Sequence, residues 1–558
     1  MTWRLEDPQG DEAGKVKHLI VPYTRGAVLD MGCGPSKAFP HFIGVDSCKD
    51  TDLFGIQMTP DVECDVANPV AIDCTFNEAS VDAVFSSHCL EHIEDYRAAL
   101  AAWWSLIKTG GHLVLYLPDR TLYPNIGQPG SNPDHKHDFV AEDIIVALDE
   151  LGLRFDVRVS EVRDQGREYS FLLVIQKLAE PHLGPYSYTL PKPTKTACVV
   201  RYGGFGDMIQ TAGILPALKR EGFHVTVMTT PKGQDILRHD PHIDAWIIQD
   251  EDQVPNHELH LYWRAWEQRF ERFVQLSESI ESTLLAIPGR ANHGWPDVVR
   301  RARLNVNYHE FTAELAQVPF APDAKFYPSI DEAAQTQRYL MHVQQRVANA
   351  PRPQQRNAAQ AIMGLPPAFK SAPLVQPVFH IMWCLSGSSV HKAYPHMDAV
   401  IAQILMDMPE AAIHLTGDAA CQILEAGWEE EPRVFRQSGE MTIRQTLALA
   451  QECDLVIGPE TGVLNAVAFE PEVGKVVMLS HSSHENLTKH WVRAMSIEPN
   501  REAAPCYPCH RLHYDRTFCP MEQETHAAMC AFSINPATVY SAVHLVYQQW
   551  KEPSDESR

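Results

Sequence analysis

Residues 199–220 read VVRYGGFGDMIQTAGILPALKR, an apolar run that meets Gly203, Gly204 and Gly206 and then Asp207. A strand that turns through such glycines into a helix start gathers backbone N–H groups at one point, which suits an anion or a sugar phosphate. Asp207 at that turn could take a proton from an attacking hydroxyl. An Asp just after Gly is equally a common helix N-cap. A second turn lies at Val28–Pro35 (VLDMGCGP). There an apolar strand ends in Asp30, and Gly32 and Gly34 allow a tight turn and close approach of a ligand to the backbone. The next strand ends in Asp46, placed to accept ribose hydroxyls, and Asp65 in ECDV could accept from an adenine amino group. The run FSSHCLEHIED sets Ser86, Ser87 and His88 at the same sheet edge. In DHKHDF, His135 or His137 could act as a general base near neutral pH, or serve as polar loop residues that cap the site.

These residues need a scaffold, and the hydrophobic rhythm supplies one. GAVLDMG, FIGVD, VDAVFSS and GGHLVLYL read as buried parallel strands, with helix candidates such as Asp95–Ile107 between them. RFDVRVSEVRD and YSFLLVIQKL add two closing strands. This α/β alternation is that of a doubly wound sheet. A second α/β rhythm starts at Ala197 (ACVVRYG, HVTVMTT, AWIIQD) and a third at PVFHIMWCLSG, followed by AAIHLTGD, CDLVIGPETG and GKVVMLS. The expected layout is a first domain over 1–178 and a proline-rich linker over 179–196. Then come a second domain over 197–330, a connection rich in Gln, Ala and Pro over 331–376, and a third domain over 377–558. The second and third domains would form a cleft between them.

A chain of 558 residues exceeds what one core supports. No apolar run approaches the ~20 residues of a membrane span. The N-terminus lacks a basic start followed by an apolar core, so no secretory signal is expected and a cytoplasmic location is. With 47 basic and 71 acidic residues the net charge is −24, which argues against broad electrostatic binding of nucleic acid and leaves room only for a local basic groove. Thirteen cysteines are scattered, many beside apolar strands, which suits reduced, buried thiols.

The Val28–Pro35 turn admits three readings. A dinucleotide site lacks its third glycine, because Lys37 stands there, and Asp46 follows Gly32 by only 14 positions. An unliganded α/β turn is the plain alternative. The third is S-adenosylmethionine (SAM). DMGCG, GVD, ECDV, SSHCLEHIED and GGHLVLYLPD resemble, in order and spacing, the class I SAM-dependent methyltransferases over about residues 20–178. That resemblance implies a Rossmann-like domain. Asp30, Gly32 and Gly34 would lie near the methionine end of SAM, Asp46 at the ribose and Asp65 at the adenine, with Ser87 and His88 beside the cofactor.

The remainder, about 196–545, resembles the family 9 glycosyltransferases, which include the lipopolysaccharide heptosyltransferases. The stretches that carry this are GFGDMIQTAGILPALKR, LSGSSVHKAYP, AAIHLTGD, VIGPETGVLNAVA and CYPC. The resemblance implies a GT-B fold, two facing Rossmann-like domains, and inverting transfer from a nucleotide-diphosphate sugar to a small-molecule or glycan acceptor. It makes Asp207 the general base and puts Gly204 and Gly206 at the substrate. Lys392 would face the donor diphosphate, Gly417 and Asp418 the nucleoside, and Glu460, Thr461 and Gly462 the phosphate and sugar at a helix N-terminus. Helix N-termini plus one lysine can stabilise a leaving diphosphate without a metal ion. The chain departs from the family pattern with Glu460 in place of Asp and Asn465 in place of His, which points to an altered donor preference.

The expectation is thus a bifunctional transferase, one arm adding a sugar and the other methylating that sugar or its carrier. Two alternatives stand beside it: a non-catalytic scaffold that reuses both folds, and a phage-type enzyme modifying nucleic acid or nucleotides. Cys506, Cys509, Cys519 and Cys530 could hold a structural zinc, remain reduced thiols or form a disulfide. Trp263, Arg264 and Trp266 read as packing, though they could face an acceptor. Asp250, Glu251 and Asp252 read as a solvated loop rather than a metal motif.

Overall fold

The described residues form three sheets. The computed structural model describes residues 11–47, 60–179, 195–321, 323–350, 377–387, 392–511 and 519–552. The proline-rich linker falls almost wholly outside these residues, as do 351–376 of the second connection and 388–391 of LSGSSVHKAYP. The described part of that connection is helical, within Ile330–Ala348. Two compact units result, Met1–Thr196 with Ile247–Arg272, and Ala197–Trp246 with Phe273–Arg558. Among the described residues no helix is long and apolar enough to cross a membrane.

The first unit is built on β1 (Val28–Met31), β2 (Ile43–Asp46), β3 (Val62–Glu63), β4 (Val81–Ser87), β5 (Ile107–Pro118), β6 (Phe155–Arg163) and β7 (Ser170–Lys177). Their order in the sheet is β3-β2-β1-β4-β5-β7-β6. β1 to β5 run parallel, and β7 is antiparallel to both β5 and β6. All four residues of β1 are buried, as a strand covered on both faces requires. Helix Tyr96–Leu106 packs its Trp103 and Trp104 into the core and starts at Asp95, whose side chain accepts from the Ala98 N–H at 3.1 Å.

Residues 247–272, expected within the second domain, belong to this first unit. Gln253 Nε2 donates to the carbonyls of Val21 and Thr24 at 2.8 and 2.9 Å. Trp266 Nε1 donates to the His18 carbonyl at 3.1 Å, and Tyr262 is fully buried. Arg25 pairs with Asp250 and Lys17 with Glu258, at 2.7 and 2.8 Å. The aromatic run around Trp263 and Trp266 is therefore packing, and Asp250 is an ion-pair partner rather than a solvated acid. The sequence rhythm could not report this, because chain order does not fix which core a helix covers.

The second unit holds most of a four-stranded sheet, β8 (Thr196–Val200), β9 (His224–Thr229), β10 (Ala245–Ile248) and β11 (Arg272–Gln275), in the order β10-β9-β8-β11, with the unit boundaries falling at Thr196, within β10 and at Arg272. It also contains a six-stranded parallel sheet: β12 (Phe379–Cys384), β13 (Ala411–Thr416), β14 (Val434–Arg436), β15 (Leu455–Pro459), β16 (Gly474–Met478) and β17 (Ala494–Ile497). Its order is β14-β13-β12-β15-β16-β17. Buried Arg444 draws the elements of this unit together. It donates to Glu332 at 2.7 and 2.8 Å and to the carbonyls of Asp235, Ile236 and Tyr327. The mixed α/β class with parallel sheets agrees with the sequence reading.

Candidate functional site

In an open α/β sheet, ligands bind beyond the carboxyl ends of the strands where the strand order reverses. In the first sheet that switch point lies between β1 and β4. The loop after β1 carries Gly32 and Gly34, and the loop after β4 carries His88 to His92. Both glycines have positive φ, +71° and +57°. A Cβ on Gly32 would fall 2.3 Å from Cys89 Sγ, whereas one on Gly34 would meet nothing within 4 Å among the described residues. Gly32 therefore fits two loops together, and Gly34 faces open space.

Asp30 is buried and accepts from the Ala38 N–H at 2.9 Å. Burial pushes its carboxyl up to about 7, against the pull of that N–H and of Lys37. Asp46 accepts from the backbone N–H groups of Gly34 and Ser47 at 2.9 and 2.7 Å, so each oxygen holds one donor and keeps further lone-pair capacity. Asp65 accepts from the Ala67 N–H at 3.0 Å in a local turn. Ser86 Oγ donates to the Met31 carbonyl at 2.9 Å and so stitches β4 to β1. Ser87 Oγ is buried without a hydrogen-bond partner among the described residues. His88 has φ +49° and its Nε2 lies 2.9 Å from Ser170 Oγ; burial first, then Lys15, pushes its ring down to about 3, so it stays neutral. Of the two histidines singled out as bases, His137 places Nε2 3.0 Å from the Glu94 carbonyl, and His135 is buried beside Glu91. Burial pushes His135 down to about 4 and Glu91 up to about 8. Glu91 was not singled out from the sequence. The available signal was an acid in an otherwise apolar turn, flanked by His88 and His92.

In the second unit the switch points are β8/β11 and β12/β15. Gly204 N-caps the helix Phe205–Ala212. Asp207 Oδ2 accepts from the Gly204 N–H at 2.8 Å, and Oδ1 pairs with Arg201 at 2.9 Å. Arg201 is buried and also pairs with Glu281 at 2.5 Å. Asp207 is thus not the N-cap but the third helical residue, reaching back to the N–H of the cap Gly204, and it is still a third exposed and uses only part of its acceptor capacity. Arg201 and Glu281 are additions that the sequence reading did not make.

Lys392 and Glu460 meet at the β12/β15 switch point. Lys392 Nζ donates to the Glu460 carbonyl at 2.9 Å and sits 3.8 Å from its carboxylate. Burial pushes the Lys392 ammonium down, while Glu460 and Asp207 both pull it up, so Asp207 lies within electrostatic reach. The Glu460 carboxylate accepts from the Ser480 and Ser482 N–H groups at 2.7 and 3.0 Å and lies 2.5 Å from His481 Nδ1. Burial opposes its charge, but His481, Lys392 and the Ser480 N–H outweigh that and hold it well below the usual carboxylate range. Glu460 thus fixes Lys392 and the turn at 480–482.

Thr461 caps helix Gly462–Ala466 by accepting from the Leu464 N–H, and Asp418 accepts from the Cys421 N–H at 3.1 Å. Gly417 is needed because a Cβ would come within 2.6 Å of Cys421. Gly206 and Gly462 do something the sequence did not suggest. A Cβ on Gly206 would touch Gly462 Cα at 3.0 Å, and one on Gly462 would strike the Phe205 ring at 2.2 Å and the Gly206 nitrogen at 2.8 Å. These glycines let two helix starts meet. Asn465, where a histidine was the family expectation, accepts from Gln210 Nε2 at 3.2 Å across the same contact. Among the described residues, Cys506, Cys509, Cys519 and Cys530 are not joined in a disulfide. Among the described residues they do not form a set of ligand atoms of the kind a metal needs; the one such set is Glu91, His92 and His135.

Residues 29–115 match a family model described as a methyltransferase domain. No curated protein matches the sequence. Among solved structures, the family 9 glycosyl transferase of Veillonella parvula is 12% identical and aligns over 64% of this chain and 98% of its own, with a TM-score of 0.42. The E. coli ADP-heptose lipopolysaccharide heptosyltransferase II is 14% identical over 64% and 99%, with a TM-score of 0.40. A SAM-dependent methyltransferase from Archaeoglobus fulgidus is 20% identical over 30% and 94%, with a TM-score of 0.23.

Proposed function

We propose that the chain is a bifunctional transferase, a SAM-dependent methyltransferase joined to an inverting glycosyltransferase that uses a nucleotide-diphosphate sugar. The observation that carries the reading is positional. Asp30, Gly32 and Gly34 in and after β1, the turn at 203–207 after β8, Lys392 after β12 and Glu460 after β15 stand at strand-order reversals, where open α/β sheets take ligands. Asp46, Asp65, and Gly417 with Asp418 end or follow the strands further out on the same sheets, β2, β3 and β13.

Methyl transfer asks mainly for alignment of the nucleophile with the methyl group in a dry site. The open space beside Gly34 is where SAM would lie, with Asp46 turned to the ribose. Sugar transfer asks for a base at the incoming oxygen and positive charge at the departing diphosphate. Asp207 is the base in this reading. Lys392 gives one donor to the Glu460 carbonyl and retains others for phosphate oxygens. Glu460 holds that lysine in place, and the acceptor is a glycan or its carrier.

The test is a turnover assay on the full chain. It would receive labelled SAM, a panel of nucleotide-diphosphate sugars and candidate glycan acceptors. Label transfer and nucleoside diphosphate release, each with its own donor, are expected. No release from any sugar nucleotide and no methyl transfer would leave the scaffold reading in its place.

A further inference from the structure

Glu91 is 1% exposed, and neither carboxylate oxygen has a hydrogen-bond partner among the described residues. Burying such a group unpaired is costly, so its surroundings need an explanation. Those surroundings are imidazoles. His92 Nε2 and His135 Nε2 each lie 3.9 Å from Glu91 Oε1. All three ligand atoms fall within 4.8 Å of one another. His88 Nδ1 lies 3.7 Å from the same oxygen, but its Nε2 is taken up with Ser170.

The cluster is held by backbone rather than by chance side-chain positions. Glu91 and His92 sit on the short turn Leu90–His92 that follows β4. The loop bearing His135 is clamped onto it, because the Lys136 and His137 N–H groups both donate to the Glu91 carbonyl, at 2.8 and 3.2 Å. His92 and His135 meet edge to face at 4.8 Å, and Tyr123 packs on His135 at 5.4 Å. Two of the three side chains are buried, and His92 is about a third exposed.

We infer that Glu91, His92 and His135 form a binding site for a divalent transition-metal cation of the zinc class. The geometry is near that required. Ligands at ~2.1 Å from a tetrahedral zinc stand about 3.4 Å apart, so the 3.9 Å separations close with small side-chain rotations. Two imidazoles and one carboxylate suit a borderline cation such as Zn²⁺ rather than Mg²⁺ or Ca²⁺, which favour all-oxygen sets. Three protein ligands leave a fourth position, and the half-open His92 side is where a water or an acceptor oxygen would enter. This inference stands apart from the sugar-transfer reading and requires nothing of the late cysteines.

The experiment uses the full chain stripped with a chelator and titrated with Zn²⁺ in competition with a chromophoric chelator. One equivalent is expected to bind tightly. Glu91→Gln and His92→Ala are each expected to weaken it at least tenfold, while the double variant Cys506→Ser/Cys509→Ser retains it. Far-ultraviolet circular dichroism checks that each variant is folded, and His92→Ala, at a partly exposed position, covers failure of Glu91→Gln. Bound Co²⁺ should lack a thiolate-to-cobalt charge-transfer band. No stoichiometric binding, or binding lost with the cysteine pair and kept in the folded His92→Ala variant, would overturn the inference.

Discussion

Gly34 and Gly462 come from the same kind of sequence signal, a glycine just past a buried strand, yet the two regions use it in opposite ways. At Gly34 the missing side chain leaves room that no atom of the described residues fills. At Gly462 it lets one helix start press against Phe205 and Gly206 of another. The candidate site of the first unit lies within one sheet. That of the second gathers residues from elements of two sheets, so its geometry depends on packing between them. A glycine motif therefore announces a turn, and only the neighbours decide whether ligand or protein occupies the space beyond it.

The contrast can be tested by where damage appears. Asp207→Asn should reduce sugar transfer by about 10²- to 10⁴-fold, the usual range for a lost general base, with methyl transfer unchanged. Equal loss of both activities would break the separation. Glu332→Gln removes the carboxylate that pairs with buried Arg444 and should cost about 3–5 kcal/mol in denaturant unfolding. The Arg444 hydrogen bonds, against burial, hold Glu332 down to about 2 from an ordinary 4.5. A depressed carboxylate stabilises the fold above its unfolded value, so this contribution should fade as pH falls from 4.5 towards 2, and the variant should lack that acid slope. An unchanged acid limb would remove Glu332 from this role.

Gly462→Ala should cost about 1–3 kcal/mol through overpacking and depress sugar transfer alone. Gly34→Ala carries only the left-handed backbone penalty of about 1–2 kcal/mol. It should nevertheless weaken SAM binding by roughly tenfold, about 1.4 kcal/mol, because its methyl enters the ligand's space. Intact SAM affinity in the folded variant would show that the open space at Gly34 is not the cofactor site.

Much of this was legible in the chain because buried parallel strands write themselves as apolar runs. VLDM, FHIMWC and LVIGP are strands, with Asp30 inside the first and Glu460 directly after the last. What escaped was contact between distant segments. Nothing in LYWRAWEQRF shows that Trp266 binds the His18 carbonyl, and nothing near Glu460 shows its bonds to Ser480 and Ser482. Glu91 escaped for a related reason: its histidine neighbour at 135 lies 44 positions away, and only the clamped loop brings them together.

Calorimetric titration of the full chain, first with SAM and then with ADP- and UDP-sugars, addresses the two-site claim most directly. Two saturable and independent binding events are predicted, the first weakened by Gly34→Ala and the second left intact by it. Absence of heat with every one of these ligands would contradict the assignment of both strand-end crevices.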